Sequence, residues 1–387
     1  MPSNSRSPSE IEDGLSTRLP RYQVTNPSGS PATGAVPDRG GRPADVGDRT
    51  SAADASARGL VRKCASYGRA DRRRSITQVL TTAVPFTLLW VAMVFSLDIS
   101  YWLTLLLAVP AAGLLVRFFI IQHDCGHGSF FKSRAANDLV GRVASVLTLT
   151  PYGYWRRTHG MHHATSGNLN RRGVGDIDTL TVKEYLALPT RGRLAYRLYR
   201  NPAILFSVGA FYFFFLKHRV PFGLPLPWRE AWRSILLTNI LIAAAAAAAA
   251  ATVGLVPFLL VHGPTMMLAA TFGTWVFYIQ HQFEGAYWQT DERWSFYDAA
   301  TKGSSYYALP KVLQWFTGNI GLHHIHHLCS KIPNYRLQEC LDHIPELKHA
   351  ARISLIGSFK CARLALWDEH RGKLVGFRQL AQASSGT

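Results

Sequence analysis

The 387-residue chain has few cysteines and few acidic residues, and each shortage excludes a class of protein. Its five cysteines are an odd number with no CxxC pair, so we expect reduced thiols facing a cytosolic compartment. Its 24 acidic residues are outnumbered by 42 Lys and Arg, which gives a net charge of +18. No nucleic-acid-binding motif accompanies this charge, so we do not expect nucleic acid as a partner. The first 75 residues contain no apolar segment of the signal-peptide type, so membrane targeting must come from internal segments.

Apolar residues are scarce at the start of the chain, although they make up 48% of the whole. Residues 1–60 are rich in Ser, Pro, Gly, Arg and Asp and offer little from which to build a core. We therefore expect residues 1–75 to form a disordered basic tail and residues 76–380 to form a membrane domain. Seven basic residues between Arg58 and Arg74 precede the first apolar run. Such residues mark the cytoplasmic side of a membrane and attract anionic lipid headgroups.

Four apolar runs are long enough to cross a bilayer core of ~30 Å: Ile76 to Leu97, Tyr101 to Ile121, Ile235 to Val256, and Phe258 to Ile279. Only three residues separate the first two, and the last two are also almost adjacent. Neither short connection contains Lys or Arg, whereas residues 122–234 and both termini are basic. This pattern predicts an all-α integral membrane fold: four transmembrane helices in two hairpins, with both termini and a helical cap in the cytoplasm.

A fifth apolar segment, Pro202 to Leu216, is too short for a typical span. If it crossed the membrane, an odd number of spans would separate the histidine clusters described next, and these clusters could not share one site. We therefore interpret the segment as an interfacial or half-buried helix.

Nine of the fifteen histidines fall in three windows of five residues. Residues spaced i and i+4, or i, i+3 and i+4, lie on one face of a helix. Eight imidazoles fit this spacing: His123, His127, His159, His162, His163, His323, His326 and His327. His324 breaks the pattern, and we expect it to face away.

Eight imidazoles exceed what one metal accepts, since a structural zinc site closes with four ligands. They fit two metal ions with positions left open for oxygen, and iron is favoured because oxygen activation needs a redox metal. His281 follows the fourth run on the same side and is a further candidate ligand; an ordinary interfacial histidine is the alternative. Metal-bound imidazoles need partners for their second nitrogen, and the candidates are Asp124, Asp176, Asp178, Glu284, Asp298 and Asn319.

The three windows resemble the HxxxH, HxxHH and HxxHH boxes of integral-membrane fatty acid desaturases. The likeness extends over about residues 75 to 370 and includes Gly175 to Val182, Gln280 to Glu284, Trp315 to Gly321 and Ile332 to Tyr335. These flanking stretches are similar to the acyl-lipid omega-6 (delta-12) group of bacteria and plastids.

The resemblance implies an oxidoreductase with two iron ions that uses O2 and two external electrons per turnover. By position, the eight box histidines inherit the ligand role, and His281 matches a ligand position after the last span. The implied substrate is an oleoyl chain on a membrane glycerolipid, which becomes linoleoyl through a new cis double bond. We see no haem domain in the sequence, so a separate electron donor such as ferredoxin is implied. A bacterial inner membrane is the implied location.

Two alternatives remain at this point. A membrane di-iron hydroxylase or carotenoid ketolase would use the same boxes, and only its product would distinguish it. A metal-binding transporter is disfavoured, because its ionisable residues would lie inside the spans, where this sequence has almost none. Double-bond position, acyl carrier and oligomeric state do not follow from the sequence.

Overall fold

The computed structural model describes residues 46–221 and 228–384, which are mostly helical. The α-helices in these ranges are α1 Val46–Ala65, α2 Arg72–Ser96, α3 Tyr101–His127, α4 Arg134–Leu147, α5 Tyr152–Thr165, α6 Val182–Ala187, α7 Thr190–Tyr199, α8 Pro202–Ile204, α9 Trp228–Val253, α10 Leu255–His281, α11 Phe296–Lys302, α12 Lys311–Phe316, α13 His323–Leu328, α14 Asn334–His343, α15 Leu355–Cys361 and α16 Phe377–Ser384. Short strands are β1 Leu180–Thr181, β2 Tyr306–Ala308, β3 Arg352–Ser354, β4 Leu366–Asp368 and β5 Lys373–Val375.

Within the described ranges, α2, α3, α9 and α10 are the helices long and apolar enough to cross a membrane. The predictions of a mostly helical chain and of four candidate spans are therefore confirmed. The helices extend beyond the apolar runs, because helical hydrogen bonding continues into the polar sequence that follows. As a result, α3 includes His123 and His127, and α10 ends on His281.

Helix α3 lies at the centre of the long helices and packs against α2, α10 and α4. Small buried residues, Ala108, Ala111 and Ala112, allow this close approach. The hydroxyls of Ser96 and Thr104 lie 2.7 Å apart and join the C-terminal end of α2 to the N-terminal end of α3. This packing holds α3, and with it the first histidine box, against the neighbouring helices.

The N-terminal segment differs from the predicted tail. Residues 1–45 of that prediction lie outside the described residues, but residues 46–65 form α1 and Arg72 begins α2. Leu60 and Cys64 are buried against the cluster of Ile325, Leu328 and other residues around α13. Leu60 and Cys64 are four residues apart and form an apolar stripe on one face of α1. The surrounding Ser and Arg residues make the segment polar on average, so its composition alone does not indicate this helix.

Short elements surround the ends of α3 and α10. Strand β1 pairs in parallel with β4, which pairs antiparallel with β5, while β2 pairs in parallel with β3. The segment Pro202 to Leu216, predicted to be interfacial, consists of α8 and two short π-helical turns, Leu205–Gly209 and Tyr212–Leu216. Its Phe206 packs on Tyr278 of α10, with ring centroids 5.2 Å apart.

Candidate metal centre

The first two histidine boxes meet at the end of α3. Gly128, with a φ of +66°, terminates α3 immediately after His127, a left-handed conformation that glycine adopts without strain. The hydroxyl of Tyr152, at the start of α5, donates a 2.8 Å hydrogen bond to the carbonyl oxygen of Cys125. This bond holds α5, with the second box, against the first box.

The third box occupies the short helix α13, all of whose residues are buried. Gly318 and Asn319 precede it, with φ values of +53° and +57°, so the chain turns sharply before His323. The side chain of Asn319 donates to the carbonyl oxygen of Asn334, at 3.3 Å. The turn directs α13 between α5 and the end of α10.

All nine histidines predicted as ligands fall into two sets, and within each set the possible ligand atoms lie within 4.8 Å of one another. The five-histidine set is His123, His127, His159, His163 and His326, and the four-histidine set is His162, His281, His323 and His327. The spacing predicted that the histidines of each box share one helix face, but the second and third boxes are each divided between the two sets. His324 lies in neither set, and its Nε2 lies 3.0 Å from the carbonyl oxygen of Leu347.

The spacing of the nitrogens fits two metal ions. In the five-histidine set, Nε2 of His163 lies 3.1 Å from that of His159 and 3.0 Å from that of His326. In the four-histidine set, Nε2 of His281 lies 3.1 Å from that of His162 and 2.9 Å from that of His323. Metal–imidazole bonds of about 2.1 Å at right angles place neighbouring nitrogens roughly 3.0 Å apart.

Several of these nitrogens are buried without a hydrogen-bond partner in the part of the chain that the structure describes. They include the Nε2 atoms of His123, His127 and His327. Buried polar atoms almost always have partners, so each orphan calls for an explanation. A bound cation would supply the missing partner.

The charge state of the imidazoles also suits metal binding. Burial, followed by the neighbouring imidazoles, lowers the pKa of His159, His163, His323, His326 and His327 well below the usual value of a histidine. A lowered pKa keeps the ring neutral at physiological pH, and the neutral ring is the form that binds metals.

Two carboxylates orient the rings from behind. Oδ1 of Asp176 lies 2.5 Å from Nδ1 of His162, and Oδ1 of Asp124 lies 3.0 Å from Nδ1 of His123. Oδ2 of Asp124 accepts hydrogen bonds from the backbone N–H and the side-chain amide of Asn334, at 2.6 and 2.8 Å. Such contacts fix which nitrogen of each ring would face a bound metal.

Among the hydrogen bonds and ion pairs of the described residues, none joins Asp178, Glu284, Asp298 or Asn319 to a candidate ligand histidine. Glu284 pairs with Lys373 at the surface, and Asp298 pairs with Lys302 one turn away. Sequence reasoning missed Asn334 and the carbonyl oxygen of Gly303, which lies 3.3 Å from Nδ1 of His281. Asn334 belongs to the Ile332 to Tyr335 stretch, whose likeness to the desaturases was the one signal available.

Aromatic side chains line two sides of the centre. The ring of Trp155 stacks on His159, with centroids 4.5 Å apart and an interplanar angle of 14°. Phe119 packs edge-on against Trp155 and Phe214, with centroids 5.3 and 6.3 Å away. Phe277 lies 5.5 Å from His162. The centre therefore adjoins apolar surface on the side of α3 that precedes the histidines.

Fold and site together define an α-helical protein with four candidate membrane spans and a histidine-rich centre of metal-binding type. The fatty acid desaturase family model matches residues 99–355. A fatty acid desaturase of Bacillus subtilis is 47% identical over 83% of this chain and 91% of its own length. An sn-1 oleoyl-lipid 12-desaturase of Anabaena variabilis is 26% identical over 71% of this chain and 77% of its own length.

The chain belongs to the fatty acid desaturase family and is an oxidoreductase. The resemblance inferred from the three histidine boxes is confirmed. An sn-1 acyl-lipid omega-3 desaturase (ferredoxin) of Nostoc sp. is also similar, at 28% identity over 58% of this chain and 63% of its own length.

Proposed function

We propose that the protein introduces a cis double bond at carbon 12 of an oleoyl chain on a membrane glycerolipid and forms a linoleoyl chain. The observation that supports this most directly is the convergence of nine imidazoles in two sets at the ends of α3 and α10. The relatives that are named as oleoyl-lipid 12-desaturases favour this substrate and position. In the balanced reaction, O2 combines with two external electrons, two protons and the two hydrogens removed from the acyl chain to give two waters.

The five-histidine and four-histidine sets would each hold one iron ion. Imidazole is a good iron ligand, and the bound pair would supply the redox chemistry that O2 requires. The chain's own residues have positioning roles: Asp176 and Asp124 orient His162 and His123, and burial keeps the rings neutral. No acid–base side chain is needed to remove the hydrogens.

We place α2 with α3 and α9 with α10 as two hairpins. His123 and His281 lie at the C-terminal ends of α3 and α10 and contribute to one centre, so both helices must end on the same side of the membrane. The basic residues around these ends favour the cytoplasm, for both termini and for the cap. We infer a bacterial inner membrane, with anionic headgroups beside the basic segments.

The electrons would come from a separate protein such as ferredoxin. The name of the Nostoc relative includes ferredoxin, which supports a donor of this kind. A net charge of +18 would attract an acidic donor and speed its encounter with the cap.

The acyl chain would approach from the membrane side, along Phe119, Trp155 and Phe214. These rings provide the apolar wall that a lipid chain requires, and Trp155 leads directly to His159. Tyr154, the neighbour of Trp155 in the chain, instead packs on Ala231 and Ile235.

The decisive experiment is expression in a host rich in monounsaturated lipid, followed by fatty acid analysis with localisation of the double bond. We expect linoleoyl lipid, and none from the His163→Ala variant. A hydroxylated or ketonic product would assign the protein to the alternative enzyme class. A new bond at carbon 9 or 15 would refute only the proposed position.

A further inference from the structure

The segment of residues 309–322, between β2 and the third histidine box, leaves the cap and returns to its starting point. The backbone N–H of Tyr307 donates to the carbonyl oxygen of Gly321 at 2.7 Å, and Tyr306 forms an antiparallel bridge with Leu322. A Cβ atom at Gly321 would lie 2.4 Å from the carbonyl oxygen of Tyr307, so only glycine permits this closure. Helix α12 is thus the far part of an excursion with a closed base.

The excursion extends along α3 to about the middle of that helix. The ring of Phe316 packs on Gly113, where an added Cβ would lie 2.7 Å from a ring carbon. Gly113 is 12 residues from Tyr101 and 14 residues from His127. At 1.5 Å per residue, it lies roughly 21 Å along α3 from His127. If α3 crosses the bilayer, Phe316 lies well inside it.

An arginine in α3 holds α12 at this depth. Arg117 is 7% exposed, and its Nη1 donates to the carbonyl oxygen of Trp315. Its guanidinium carbon lies 4.1 Å from the centroid of the Trp315 ring, and its Nε donates to Oγ1 of Thr82 at 3.2 Å. Trp315 is in the last turn of α12, where carbonyl groups lack helical partners and a cation is favourable.

Apart from Lys311 at its first position, the exposed face of α12 is apolar. Val312, Leu313 and Trp315 are 67%, 38% and 40% exposed. Irregular backbone at membrane depth is tolerated only where protein groups satisfy it. That condition is met in the returning turn, because Gln280 donates to the carbonyl oxygen of Ile320 at 3.0 Å. Lipid acyl chains are the covering that fits an apolar face beside a membrane helix.

We propose that residues 309–322 are a re-entrant segment of the bilayer, that acyl chains cover the outer face of α12, and that Arg117 is the positioning residue. Six residues separate α12 from α13, so the depth of α12 sets the placement of His323, His326 and His327. The inference rests on α3 crossing the membrane and does not depend on the position of the double bond.

The first test uses spin labels in proteoliposomes. Three single-cysteine variants are compared: one at Val312, one at Leu106 on the exposed face of α3, and one at Glu369 in the cap. Each also contains Cys329→Ser, so that the label reacts only at the introduced cysteine; the four other native cysteines are buried. We expect the label at position 312 to be accessible to oxygen and protected from a water-soluble nickel complex, as at position 106. Accessibility like that at position 369 would overturn the proposal, and so would an aqueous label at position 106.

The second test changes Arg117 in the Val312→Cys protein. Arg117→Lys retains a cation and should keep the label deep, whereas Arg117→Gln should move it toward water and lower the iron content per chain. Thr82→Val removes the acceptor of Nε and one hydrogen bond within α2, from the Thr82 hydroxyl to the carbonyl oxygen of Gln78, and is the matched control. A label that stays deep in Arg117→Gln, with full iron content, would show that the arginine does not position the segment.

Discussion

The contact between Asp176 and His162 provides a sensitive test of the proposed metal centre. Oδ1 of Asp176 lies 2.5 Å from Nδ1 of His162, a short and charge-assisted contact. It fixes the ring so that Nε2 faces His281, 3.1 Å away, within the four-histidine set. Removing such a partner typically lowers metal affinity or activity about 10- to 100-fold, which corresponds to about 1.4 to 2.7 kcal/mol.

We expect Asp176→Ala to weaken one of the two iron sites by this factor and to leave the other nearly unchanged. Asp176→Asn should have a smaller effect, because the amide oxygen can still accept a hydrogen bond from Nδ1. Iron per chain should fall from about two toward about one as a competing chelator is raised, and desaturation should fall in parallel. Metal analysis and product analysis on the same samples measure both quantities.

Asp298→Asn is the matched control, since that carboxylate pairs with Lys302, whose side chain is exposed, and does not touch the histidines. Exposed pairs of this kind contribute about 0 to 1 kcal/mol, so iron binding should not change. The reasoning is refuted if Asp176→Ala retains two tightly bound irons and full activity. Equal weakening of both sites would also refute it, because Asp176 contacts one set only.

Four further predictions concern ligands, topology, packing and pH. His163→Ala or His326→Ala should abolish desaturation but leave membrane insertion intact; full activity in a sample with one zinc per chain would contradict the di-iron proposal. Reporters at Gly192 and Gln379 should lie on the same side of the membrane, and opposite sides would mean that the Pro202 to Leu216 segment crosses it. Gly141→Ala should lower the melting temperature, with a cost of about 1–3 kcal/mol for overpacking, because its Cβ would lie 2.3 Å from a ring carbon of Tyr152. Burial alone would raise the pKa of Glu184, but hydrogen bonds from Arg172 and Thr181 outweigh burial and hold that pKa below its usual value. The contribution of Glu184 to stability is therefore present above about pH 4.3 and is lost as the pH falls. The melting temperatures of wild type and Glu184→Gln should converge in acid.

The candidate spans and the histidine boxes could be predicted because both depend on local sequence. A run of twenty apolar residues has few alternatives to a membrane helix. Two histidines four residues apart share a helix face wherever that helix lies in the fold. His281 could be proposed for the same reason, since it immediately follows an apolar run. These features do not require knowledge of which distant segments meet.

Contacts between distant segments could not be predicted. Asn334 supports Asp124 across 210 residues, and Lys63 pairs with Glu346 across 283 residues. Helix α12 has six residues, too few to appear in any hydropathy window of membrane length, and its depth depends on the fit of Phe316 to Gly113. The role of Arg117 could not be predicted, because the sequence around a single cation in an apolar run does not indicate which residue it contacts.

The division of the boxes between the two sets follows from the geometry of the helix. Successive residues rotate by about 100°, so positions i and i+4 differ by about 40°, while position i+3 points about 60° to the other side of position i. In the second box, His159 and His163 join the five-histidine set and His162 joins the other. The third box reverses this: His323 and His327 join the four-histidine set, and His326 crosses to the five-histidine set. An HxxHH box therefore contributes to both sets from one helix. That helix fixes the distance between the two sets, and no further residue is needed between them.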